Sequence, residues 1–139
     1  MPESLEHTGL LHMLVKHVRT SHIGGEEVIF LHDLPGHIGC EKPPAIGGFR
    51  PDLYVYNAPL RTVIIGEAKT FHDLDNDHSR AQYLAYAQHL AVCSNPRLIL
   101  AVPWQLRRRA SNLLKFITRN AGVPNMPQFV IDDTLESLE

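Results

Sequence analysis

The sequence predicts an α/β fold in which a mixed β-sheet carries helices on its faces, and three observations lead there. Elements read in the order helix, strand, hairpin of two strands, helix, strand, helix, strand. Val63-Ile64-Ile65 and Leu98-Ile99-Leu100-Ala101-Val102 are continuous apolar runs, as in strands covered on both sides. Charged Asp52, Glu67 and Lys69 sit on a strand pair where apolar residues are expected, and charge at the end of a buried strand is expensive unless used or paired. A chain of 139 residues fits one domain around one core, and no internal repeat or low-complexity segment divides it.

The first helix is expected from Ser4 to about Thr20. Leu11, Leu14, Val15 and Val18 recur at helical spacing, Ser4 is available as N-cap, and Gly24-Gly25 ends the segment. Glu6 falls in the first turn, where a carboxylate complements the helix dipole. Val28-Ile29-Phe30-Leu31 is a short strand ending in His32-Asp33, and Asp33 reaches a site at the hairpin only if the two ends coincide. From Leu34 to Phe49, prolines and glycines exclude regular structure. A connection of that length in a compact domain is often functional, so Lys42 and Arg50 are read as its phosphate contacts.

Arg50 to Lys69 is the organising stretch. With Pro59 and Leu60 central in the turn, Ala58 faces Arg61 and, counting outward, Asp52 lands opposite Glu67. Glu67 and Lys69, two apart, share a face. Two carboxylates placed opposite each other destabilise a sheet unless something binds between them, and hard oxygen ligands suit Mg²⁺ or Mn²⁺.

The segment after Lys69 is acidic and polar; Asp73, Asp75 and Asp77 alternate, but the glycine and closing glutamate of a calcium loop are missing. A second helix is expected from Ser79 to about Cys93. Ser79 and Gln82 fit a capping box, while Gln82, Tyr86 and His89 also form one polar stripe on an otherwise apolar helix, aimed at the hairpin end. A strand from Arg97 to Val102 stops at Pro103. Trp104 to Asn120 is expected as a third helix, with Leu106, Leu113, Leu114 and Ile117 inward. Arg107, Arg108, Arg109, Lys115 and Arg119 make that helix the one concentrated positive region, and Arg107, Arg108, Arg109 and Lys115 are the candidate phosphate-binding set. Gln128 to Ile131 is the last strand, and Asp132 to Glu139 an acidic tail.

Pro51-Asp52, fourteen intervening residues and Glu67-Ala68-Lys69 resemble the signature of the PD-(D/E)XK nuclease superfamily. Gly66 before the glutamate and Gln82-x-x-x-Tyr86 resemble its RecB-type exonuclease branch. The element order matches the αβββαβ core of the restriction-endonuclease-like fold, with one helix and one strand appended. The resemblance implies a Mg²⁺- or Mn²⁺-dependent hydrolase of phosphodiester bonds, with DNA as the expected substrate. It implies Asp52, Glu67 and the Ala68 carbonyl as metal ligands, with Glu6 as a further candidate, and Lys69, Gln82 and Tyr86 as catalytic partners.

Composition bounds the alternatives. A formal charge of −2 gives no global footprint for nucleic acid, so any basic surface is local. Nine histidines show no zinc spacing and are read mostly as surface residues. Cys40 and Cys93 are too few for a disulfide framework or a four-thiolate cluster. No apolar run is long enough to span a membrane and no leader is legible, so a cytoplasmic protein is expected. Small size points to a homodimer or a larger complex. A catalytically silent nucleic-acid-binding or assembly module of the same fold, and a small-molecule phosphate hydrolase, are the alternatives; the absence of a G-x-x-x-x-G-K-[ST] loop removes the commonest nucleotide hydrolase.

Overall fold

A computed structural model describes residues 4–23, 28–35, 41–58 and 61–134. Its frame is a mixed sheet of five strands in sequence order: β1 (Val28–His32), β2 (Leu53–Asn57), β3 (Thr62–Ala68), β4 (Asn95–Val102) and β5 (Gln128–Asp132). The first three are antiparallel neighbours, and β3, β4 and β5 run parallel. Parallel neighbours need crossover helices, supplied by α2 (Asp77–Ala91) and α3 (Arg107–Asn120). Because the two crossovers step the same way along the sheet, one handedness places both helices on one face. The opposite face is covered by α1 (Leu5–Ser21).

Alternation along β3 sorts its side chains between these layers. Val63 and Ile65 pack with Tyr83, Tyr86, Leu90 and the α3 residues Leu113, Leu114 and Ile117. Ile64 and Ala68 pack with Leu11, Leu14 and Val18 of α1. All seven β3 residues are buried, as its unbroken apolar run predicts. Gly66 marks where α1 comes nearest, because a Cβ there would lie 2.9 Å from Leu14 Cδ2 and 3.2 Å from Leu53 Cβ.

Ser4 caps α1 as expected, accepting the His7 N–H at 3.1 Å. Other expectations need correction. The second helix starts at Asp77, not Ser79, because the Asn76 side chain accepts the Ser79 N–H at 2.7 Å and caps it earlier. The Ser79–Gln82 capping box therefore does not form. The helix expected from Trp104 opens with a 3₁₀ turn, Trp104–Leu106, whose Leu106 N–H reaches the Pro103 carbonyl at 2.9 Å; α3 starts only at Arg107. Strand β4 begins two residues early and contains Pro96, tolerated because pairing with β5 starts only at Leu98. Asp132, expected in an acidic tail, is the buried last residue of β5. His32 is buried, not a surface residue, and its Nδ1 accepts the Leu34 N–H at 3.3 Å.

Pro59, Leu60, Gly24, Gly25, Cys40 and the tail beyond 134 lie outside the described residues. Within the expected irregular stretch, the described part from 41 carries only an isolated bridge, Ile46 with Phe49. Gly47 there has a positive φ of 59°, and a Cβ would sit 2.8 Å from that of Ala85, so glycine lets the loop lie against α2. No helix of the described residues is long and apolar enough to cross a membrane.

Candidate functional site

The site forms where β2 begins and β3 ends. The Arg61 N–H bonds the Ala58 carbonyl at 3.2 Å to close the hairpin, with Arg61 itself at a positive φ of 52°. From there the register runs Asn57 with Thr62 to Leu53 with Gly66, and one more step sets Asp52 against Glu67. β1 ends at the same edge, its Asp33 N–H bonding the Asp52 carbonyl at 3.0 Å.

Glu67 and Lys69 share the face of β3 turned to α2, and α2 supplies their partners. Tyr86 Oη donates to Glu67 Oε1 at 2.9 Å. Lys69 Nζ donates to Gln82 Oε1 at 2.5 Å and to Ser79 Oγ at 3.1 Å. The Ser79 hydroxyl donates onward to the Asp73 carbonyl. Asp52 turns to the other layer: its Oδ2 accepts the Ala68 N–H at 2.9 Å and lies 3.1 Å from His7 Nε2 on α1. Asp52, Glu67, Lys69, Gln82 and Tyr86 are all buried.

Burial raises the Glu67 carboxyl well above the ordinary carboxylate range, and the neighbouring Asp52 charge and hydrogen bond push it the same way. Lys69 and the Tyr86 hydroxyl offset only part of this. For Asp52, burial also acts upward, but hydrogen bonds from His7 and Glu67, the His7 charge and the Ala68 N–H together hold it below its usual value. The pair is thus asymmetric: its surroundings hold Asp52 toward the charged form and push Glu67 toward the protonated one. Burial first, then the charge of Glu67, raises the Tyr86 phenol, so it stays a hydrogen-bond donor.

His7, Asp52, Glu67, Lys69 and Gln82 line an open cleft of about 530 Å³ together with Asp33, Arg50, Thr70, His72 and Asp73, while Tyr86 and Ser79 are not among its lining residues. No protein-family model matches this chain, nor does any curated protein or solved structure. The site is therefore read from its own chemistry.

The remaining sequence candidates take different positions. Arg50 is exposed and lines the cleft. Lys42 is not among the cleft-lining residues; its half-exposed ammonium pairs with the cleft-lining Asp33 at 2.8 Å. Asp33 does end on the side of the hairpin's charged end. Glu6 is exposed and is not among the cleft-lining residues; the next residue, His7, is. His89, the third member of the polar stripe, packs edge-on against Tyr54, with ring centroids 6.2 Å apart. The cations of α3 lie apart from the carboxylates, with Arg107 bound to Asp132 at 2.9 Å.

His7 and Ser79 were not singled out by sequence reasoning. A signal for His7 existed: it stands four, seven and eleven residues before Leu11, Leu14 and Val18, a polar residue on the buried stripe of α1. Glu6 falls about 100° away from that stripe. Ser79 was hidden by its resemblance to a cap.

Proposed function

We propose that this chain is a metal-dependent nuclease of the PD-(D/E)XK kind on a restriction-endonuclease-like sheet, hydrolysing phosphodiester bonds of nucleic acid, with DNA as substrate. One observation carries this reading: two buried carboxylates and a buried lysine converge at one edge of the sheet, each held by a different partner, in a cleft open to a polymer. A buried lysine held only by neutral oxygens and a carboxyl whose ionisation is opposed by burial and by a second carboxylate are costly arrangements for stability alone.

The donor set has the right chemistry for Mg²⁺ or Mn²⁺. Among the described residues no group of three or more His, Cys, Asp and Glu side chains forms a preformed cage. Mg²⁺ ordinarily binds one or two carboxylates and completes its shell with water and substrate phosphate, which is what Asp52 and Glu67 offer. The Ala68 carbonyl and His7 are the adjacent groups able to extend that set. When bound, such an ion supplies an activated water and neutralises phosphate charge.

The residues of the chain supply the rest. Asp52 presents a carboxylate whose orientation is fixed by the Ala68 N–H and His7. With a cation held there, the Glu67 carboxyl would be ionised, its proton passing to solvent through the open cleft, and Tyr86 fixes one of its oxygens by a hydrogen bond. Lys69, steered by Gln82 and Ser79, offers N–H donors to an oxygen on which charge develops. Arg50 at the mouth meets a phosphate of the incoming strand.

The test is a cleavage assay on supercoiled, linear, single-stranded and branched DNA and on RNA, with Mg²⁺, Mn²⁺ or EDTA, comparing wild type with Asp52→Asn and Lys69→Ala. Metal-dependent cutting lost in both variants is the expected result. Cutting that survives both in folded protein would refute the assignment, and cleavage of free nucleotides alone would move the chain to the small-molecule hydrolases.

A further inference from the structure

Beside the cleft, along the same edge of the sheet, is a second feature that the proposed chemistry leaves unused. Strands β3 and β4 are parallel neighbours, so their carboxy-terminal ends emerge together, and the Lys69 N–H bonds the Ala101 carbonyl at 2.9 Å. Each strand is followed by an exposed aromatic residue. Phe71, 50% exposed, sits between the cleft-lining Thr70 and His72. Trp104, 57% exposed, comes three residues after Ala101. From it runs a groove of about 520 Å³ lined by Trp104, Gln105, Arg107, Arg108, Ser111, Asn112 and Lys115.

Helical spacing accounts for that lining. Arg108, Asn112 and Lys115 follow one another at i, i+4 and i+7 on the outward face of α3, while Ala110, Leu113, Leu114 and Ile117 face the core. The cations have different neighbours. Arg107 is held by Asp132, and Arg109 lies close enough to Asp75 to help lower its pKa, after Arg80. Among the described residues no carboxylate pairs with Arg108 or Lys115. The Asp133 carboxylate beside Trp104 accepts the Trp104 N–H at 3.0 Å, which anchors the backbone and leaves the indole outward.

An exposed indole beside two uncompensated cations in a polar groove, with a second exposed ring, Phe71, after the parallel neighbour strand that ends at the cleft, matches one ligand chemistry. Bases stack on the rings while phosphates meet the cations, and only an unpaired strand exposes its bases for this. A duplex offers phosphates but keeps its base faces stacked. We infer that the Trp104 groove binds a single-stranded segment of the nucleic acid whose backbone enters the cleft, with one base stacked on Trp104, another on Phe71, and phosphates on Arg108 and Lys115. This rests on the nuclease reading for its direction along the strand, and it narrows the substrate to single-stranded or frayed nucleic acid.

Trp104 is the only tryptophan of the chain, which makes it its own probe. In EDTA, oligothymidylate is titrated into the protein while indole emission is followed, with a blunt duplex of equal length as comparison. Quenching by the single strand at lower concentration than by the duplex is expected. With a labelled oligonucleotide, Trp104→Ala weakens binding roughly 5- to 100-fold, Trp104→Phe largely restores it, and Arg108→Gln with Lys115→Gln lowers the salt slope by about 1.4. Equal quenching by duplex, or wild-type affinity in folded Trp104→Ala, overturns the inference. So does an emission change that follows protein concentration alone with a doubling of mass in sedimentation, which would make the face a contact between copies. If Lys69→Ala and wild type alike cut nothing yet both show the quench, the nuclease reading fails and the groove stands; if cutting is intact and Trp104→Ala binds normally, only the groove fails.

Discussion

The two ends of the β2–β3 hairpin bury polar groups in opposite ways. At the turn end Asn57 and Thr62 are paired across the strands, and Thr62 Oγ1 accepts the Asn95 side-chain N–H at 2.9 Å. The polar side chains buried there, Asn57 and Thr62, are neutral, and the charged Arg61 of the turn is exposed. At the other end the same register sets Asp52 against Glu67, with Lys69 two residues on, all buried. The hairpin teaches that burial alone does not mark a site; what distinguishes the second end is charge held where neutral residues would serve the fold better.

The largest test of that difference is catalytic. Lys69→Ala or Asp52→Asn is expected to lower metal-dependent cleavage by about 10²- to 10³-fold, in line with removal of a preorganised electrostatic contact. Thr62→Val at the neutral end should leave the rate unchanged. A comparable loss in Thr62→Val would erase the contrast.

Stability in the absence of metal comes next. The folded-state pKa of Glu67 is raised, so its protonated form is favoured by folding; that contribution is complete below the ordinary carboxylate range and fades as pH rises toward the folded value. Wild-type thermal stability in EDTA should therefore fall as pH rises through this window. Glu67→Gln keeps the shape without the ionisation and should hold a flatter profile, ending several degrees above wild type at neutral pH. Equal slopes for the two proteins would remove Glu67 as the frustrated member.

Mg²⁺ should close that gap. At saturating ion, about 100-fold over the dissociation constant, linkage gives roughly 2.7 kcal/mol to wild type and little to Glu67→Gln or Asp52→Asn. Calorimetry with and without the ion measures it. Equal stabilisation of all three would place any ion elsewhere.

The smallest effect belongs to the neutral end itself. Thr62→Val removes one acceptor from Asn95 and should cost about 1 kcal/mol, independent of pH and of metal, by urea denaturation. A pH-dependent cost would mean that the two ends are coupled through β3.

Much of this architecture was legible in the residues themselves. The buried run Val63-Ile64-Ile65 announced a central strand, and the turn placed between Ala58 and Arg61 was enough to count Asp52 onto Glu67. Period-2 and period-3.6 patterns, a Ser N-cap and the spacing of Gln82 and Tyr86 are local properties that a linear chain carries in full. Placement of α1 is not local. Which of Glu6 and His7 meets Asp52 depends on how α1 lies across Gly66, because a rotation of about 100° exchanges the two. Asn76 outcompeting Ser79 for the cap, and so releasing that hydroxyl to Lys69, likewise follows from the path of the chain between β3 and α2. The placing of the segments that carry Phe71 and Trp104 at one end of the sheet is not local either, and follows only from the parallel pairing of β3 with β4. The sequence by itself determined which groups were available and on which face of each element they stood; the tertiary structure decided which of them meet, because contact across layers depends on packing that no periodicity encodes.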